Sequence, residues 1–64
     1  MKMLEHQKLM LKNIYQNRNF FVKEIKKSFR LLSKVELTEL ERWLRIEFSQ
    51  NYDKEVQQLF LHAK

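Results

Sequence analysis

The sequence predicts an all-α fold: a small up-down bundle of three main helices plus a short C-terminal fourth, with residues 1–64 forming a single helical domain. Three observations carry this expectation. The 64 residues include no glycine and no proline, and the Asn-Gly, Asp-Gly or Gly-led turns that close tight β-hairpins are therefore missing. Apolar residues recur at helical spacing, with no sustained period-two alternation. The residues that cap helices and build turns gather at Asn17-Arg18-Asn19, at Ser33-Lys34, and at Ser49-Gln50-Asn51 with Asp53. The gaps between these clusters are helix-sized.

The first segment, about residues 3–16, sets Leu4, Leu11, Ile14 and Tyr15 on one face at about 100° per residue. Met3, Gln7 and Met10 flank that stripe, and Leu9 points away from it. The expected stop is Asn17 to Asn19, where asparagine serves as a left-handed C-terminal residue and then as the next N-cap. The second segment, about 20–32, carries Phe21, Ile25, Phe29 and Leu32 as its core face, with Val22 and Ser28 at the margins. Phe20 and Leu31, eleven residues apart, share a side strip with Glu24 and Lys27.

Ser33 with Glu36 has the spacing of a capping box, in which two side chains satisfy each other's free backbone N–H groups. It opens the third segment, about 34–50, although Thr38 with Glu41 offers a competing box one turn later. Leu37, Leu40, Leu44 and Phe48 form the core stripe here, with Trp43 at its edge. Val35 and Ile46, again eleven apart, fall on the opposite face. The last segment, about 53–63, has Asp53 as N-cap and Val56, Leu59, Phe60 and Ala63 on one face. A helix this short is marginal alone in water and must dock on the others.

Composition narrows the function. The chain has no cysteine, which excludes disulfides, Cys-ligated metal sites and a thiol nucleophile. Without glycine there is no glycine-rich phosphate loop and no dinucleotide fingerprint. His6 and His62 stand near opposite ends and lack companion ligands at helical spacing, whereas a metal site needs three or four. Ser28, Ser33 and Ser49 are accounted for as helix-margin and capping residues, and no His–carboxylate pair accompanies them as a triad requires. The sequence thus predicts a protein that is not an enzyme, with no catalytic residue, no cofactor and no metal site. No uninterrupted apolar run exceeds three residues, whereas a secretory core needs roughly 7–15 and a spanning helix about 20. The expected location is cytoplasmic.

Charge is unevenly placed. Residues 1–34 hold nine basic and two acidic side chains, and residues 35–64 hold four basic and six acidic, within a net charge of +5. Lys23, Lys26, Lys27, Arg30 and Lys34 form a basic face suited to a phosphate backbone. That makes nucleic acid the alternative partner. The lysines outnumber the arginines nine to four, while base edges are read best by Arg, Asn and Gln. A membrane partner is disfavoured, because the apolar stripe of that basic helix is needed for the core.

The leading expectation is a small protein-binding or regulatory protein, a homodimer or a module that docks on a protein partner. Its candidate interface is Leu9, Phe20, Leu31, Val35, Trp43 and Ile46, the apolar residues off the main stripes. Exposed apolar surface of this kind marks interfaces, and small domains gain stability by oligomerising. Trp43, between Arg42 and Arg45, is read either as an interface anchor or as a large core-edge residue.

Overall fold

The computed structural model describes residues 2–63, with the side chain of Ala63 outside that description. The described residues are all-helical: α1 (Met3–Ile14), α2 (Arg18–Leu31), α3 (Lys34–Glu47) and α4 (Lys54–Ala63). The Cα radius of gyration is 10.5 Å, close to the roughly 10.7 Å of a compact domain of this length.

Side-chain caps set the starts of α2, α3 and α4, while α1 follows Lys2 with no side-chain cap. Asn17 Oδ1 accepts from the Phe20 N–H at 3.2 Å, so α2 begins at Arg18, two residues before the sequence expectation. The Ser33–Glu36 box forms in both directions, at 3.2 Å to Ser33 Oγ and 2.9 Å to Glu36 Oε1. Thr38, the competing cap, instead donates its hydroxyl to the Lys34 carbonyl within α3. Asp53 Oδ1 accepts from the Val56 N–H at 3.2 Å and starts α4. The helix ends fall earlier than the apolar pattern implies. Helix α1 stops at Ile14 and α3 at Glu47, so Tyr15 and Phe48 pack from the joints rather than from helical turns. The left-handed asparagine expected after α1 is also replaced, since no described residue has positive φ.

Helix α1 packs chiefly on α2 and touches α3, while α4 docks on α2. The core comprises Leu4, Leu11, Phe21, Ile25, Leu32, Leu40, Leu44, Tyr52, Val56 and Phe60. Two aromatic groups brace it. Phe48 has the rings of Tyr15, Trp43 and Phe21 at 5.0, 5.2 and 6.2 Å. Phe60 has those of Phe29 and Tyr52 at 5.1 and 6.1 Å. Val56 and Phe60 anchor α4 as the sequence implied, and the expected contribution of the Ala63 side chain lies outside the described residues.

Two residues assigned to helix margins belong to the interior: Gln7 and Ser28 have no exposed surface. The Gln7 Nε2 amide reaches Ser28 Oγ at 2.8 Å and Glu24 Oε2 at 3.0 Å, and Ser28 Oγ donates to the Glu24 carbonyl at 3.0 Å. Buried polar groups are tolerated when hydrogen-bonded, and this network joins α1 to α2. Gln7 Oε1 is buried without a partner.

Candidate interaction surface

The six candidate interface residues divide among three places. Leu9, half exposed on α1, shares a hollow of about 350 Å³ with Glu5, Lys8, Lys12 and Trp43. Leu31 walls a second, of about 410 Å³, with Met3, His6, Gln7 and Lys27. Phe20 lies one strip with Leu31 along α2 and is exposed. Val35 and Ile46 stand on the outward face of α3, each 70% exposed.

Trp43 differs from the other five. It is half-buried, packed against the core, with its ring edge-on to Phe48. Lys8 Nζ and Lys12 Nζ stand 5.8 and 6.0 Å from its ring centroid, within the range at which a cation is attracted to an aromatic face. Of its two sequence readings, the core-edge residue describes this packing. Met3 and Leu61 are exposed apolar residues that the sequence reading left out of the candidate surface. Met3 flanks the core stripe of α1, and Leu61 follows the stripe residue Phe60 on α4, so neither stands out as an off-stripe position.

All five residues of the candidate nucleic-acid face, Lys23, Lys26, Lys27, Arg30 and Lys34, are exposed. None forms an ion pair among the described residues. Lys23, Lys26, Lys27 and Arg30 spread over a broad arc of α2: Lys27 borders the hollow beside α1, and Lys26 borders one of about 390 Å³ beside α4, with Phe29, Leu37, Leu59 and His62. Lys34, expected on the same helix face, is instead the first residue of α3, because Ser33 caps a new helix there.

The unequal charge of the two halves is partly used inside the chain. Arg18, at the start of α2, places Nη2 2.7 Å from Asp53 and 2.9 Å from Glu55, at the start of α4. Its Nη1 donates to the Asn51 carbonyl at 3.3 Å. Burial alone would lower the Arg18 pKa, but its hydrogen bonds to the two carboxylates outweigh this and raise it. Burial likewise pushes the Asp53 carboxyl upward, and the Arg18 guanidinium with the Val56 N–H holds it below its ordinary value.

A second cluster escaped the apolar pattern. Glu41 is buried in α3, where Tyr52 donates its hydroxyl to Glu41 Oε2 at 2.6 Å and Arg45 Nη2 reaches the same oxygen at 3.2 Å. Burial raises the Tyr52 phenol above its ordinary pKa, and the hydrogen bond to Glu41 adds to this. The cluster fastens the α3–α4 joint to α3.

The two histidines occupy separate hollows, each beside a lysine and apolar side chains rather than a carboxylate. Among the described residues no three His, Cys, Asp or Glu side chains converge as metal ligands would, and no helix is long and apolar enough to cross a membrane. Compared with known proteins, the chain matches no family model, no curated protein and no solved structure.

Proposed function

We propose that this chain is a non-catalytic helical interaction or regulatory protein of the cytoplasm that self-associates through apolar residues outside its core. Its helices alternate in direction as an up-down bundle of three, with the short α4 closing one side. The observation that carries the reading is the exposure of Met3, Leu9, Phe20, Leu31, Val35, Ile46 and Leu61, seven large apolar side chains among the described residues. Isolated apolar residues on a surface are ordinary, but apolar lines and hollows bordered by charge are what interfaces are made of. Sedimentation equilibrium over a range of concentrations tests it. A species of twice the 8.0 kDa chain mass is expected, and a monomer at every concentration would overturn self-association.

A second reading is favoured by one observation, that Lys23, Lys26, Lys27, Arg30 and Lys34 are exposed and form no ion pair among the described residues. In that case the face lies along a phosphate backbone and affinity falls steeply with salt. Fluorescence polarisation with a labelled duplex at two salt concentrations decides it, and absence of binding at low salt removes it.

A further inference from the structure

Helices α2 and α3 carry the same line of four residue types. On α2 it runs Phe20, Glu24, Lys27, Leu31, and on α3 it runs Val35, Glu39, Arg42, Ile46. The spacing is i, i+4, i+7, i+11 in both, the spacing of the seam along which helices pair in coiled coils. Each line reads apolar, acid, base, apolar.

Reversed, that order becomes apolar, base, acid, apolar, so the line is complementary to an inverted copy of itself. Antiparallel pairing about a two-fold axis would set Glu39 against the partner's Arg42, Arg42 against the partner's Glu39, and Val35 against the partner's Ile46. Such self-complementarity is what a two-fold interface between identical chains requires. Parallel pairing in register would oppose acid to acid and base to base, which is repulsive.

The two lines are not equally free. On α2 the Glu24 carboxylate accepts from the buried Gln7 amide, and Leu31 leans into the hollow beside Met3. On α3 Val35 and Ile46 are each 70% exposed, and Glu39 and Arg42 are exposed with no hydrogen bond or ion pair from their side chains among the described residues. The core stripe of α3, with Leu40 and Leu44, lies on the opposite side of the helix.

We infer that the outward line of α3 pairs antiparallel with the same line of a second copy, with Val35 and Ile46 as its apolar ends and two Glu39–Arg42 ion pairs at its centre. This inference rests on the proposed self-association and names its surface, orientation and register. The ion pairs select the antiparallel arrangement, as polar residues in a seam do, and the apolar ends supply most of the attraction.

Charge exchange in the full chain tests it, read by sedimentation equilibrium. Glu39→Arg alone opposes Arg to Arg twice, and Arg42→Glu alone opposes Glu to Glu twice. Each is expected to weaken the dimer by roughly 10-fold to 100-fold. The double variant E39R/R42E restores complementarity and is expected to return within a few-fold of the original affinity. An equimolar mixture of the two single variants is expected to form a heterodimer. Val35→Ser with Ile46→Ser supplies an independent route to the monomer should a charge variant fail to fold, as checked by circular dichroism. If the original chain dimerises and none of these changes affects it, while Phe20→Glu abolishes it, the α3 pairing is overturned and self-association stands. If the original chain is monomeric throughout, both fall.

Discussion

The line Phe20–Glu24–Lys27–Leu31 on α2 and the line Val35–Glu39–Arg42–Ile46 on α3 have the same spacing and the same order of residue types, yet their surroundings differ. Phe20 and Leu31 are 54% and 40% exposed, against 70% for both Val35 and Ile46. The difference begins with what packs beside each helix. Helix α1 lies along α2 and sends Gln7 into its flank, so Glu24 serves the interior of the monomer. The outward line of α3 makes no comparable commitment. A pattern along a helix therefore specifies only what the helix offers; the neighbouring element decides whether that offer is already taken up.

The most severe way to break the comparison is to remove the support that both lines share. Ile25 and Leu40 occupy matched positions fifteen residues apart, and both are fully buried. Ile25→Ala and Leu40→Ala are each expected to destabilise the domain by about 2–5 kcal/mol, measured by urea unfolding. Losses well under about 1 kcal/mol at either would show that the two helices do not stand on one packed core.

A milder pair of changes sharpens the contrast directly. Glu24→Ala removes an acceptor from the Gln7 amide and is expected to cost about 1 kcal/mol. The matched Glu39→Ala leaves no buried group unpaired and should stay within about 0.5 kcal/mol. Thermal melts at low protein concentration, where association does not contribute, read the difference. Equal losses would mean that Glu24 is no more committed than Glu39.

Acid gives the smallest effect. The Asp53 carboxyl is held below its ordinary pKa beside Arg18, so it contributes stability above the unfolded value near pH 4 and loses it as pH falls through the lower folded value. Asp53 and Arg18 are both well exposed, which limits the contribution to roughly 1 kcal/mol or less. Unfolding free energies measured between pH 5 and pH 2 should show a larger component in the original chain than in Arg18→Gln, where only the backbone N–H groups at the start of α4 still hold the carboxyl low. Since Arg18 ties α2 to α4, its loss should loosen the α2 line and leave the α3 line unchanged.

The parts of this fold that can be read from sequence are those decided within a few residues. Ser33 with Glu36, Asp53 with Val56, and Asn17 with Phe20 are contacts three positions apart, and short polar side chains at such spacing announce helix starts. The interior positions of Phe21, Ile25, Leu40 and Leu44 follow from period alone. Gln7 and Ser28 do not, because their burial depends on each other across 21 positions, and a scan for apolar stripes passes over both. Tyr52 was missed for a different reason: it lies in a joint, where no periodicity exists, and reaches Glu41 from there. Among the candidate surface residues, Leu9, Phe20, Leu31, Val35 and Ile46 are exposed as an off-stripe position implies, and Trp43 is half-buried among aromatic and lysine side chains. The division of that surface into separate places depends on which helices are neighbours, and helical period carries no information about neighbours.

The absence of positive φ among the described residues has a consequence for the chain before it folds. Joints built this way have no steric need for glycine, and the sequence contains none. Each glycine replaced at a position of ordinary backbone geometry narrows the unfolded ensemble and favours the native state by about 0.4–1 kcal/mol. A domain of this size buries only about 60% of its unfolded surface. Part of its stability thus lies in the stiffness of the disordered chain, where no contact in the folded molecule records it.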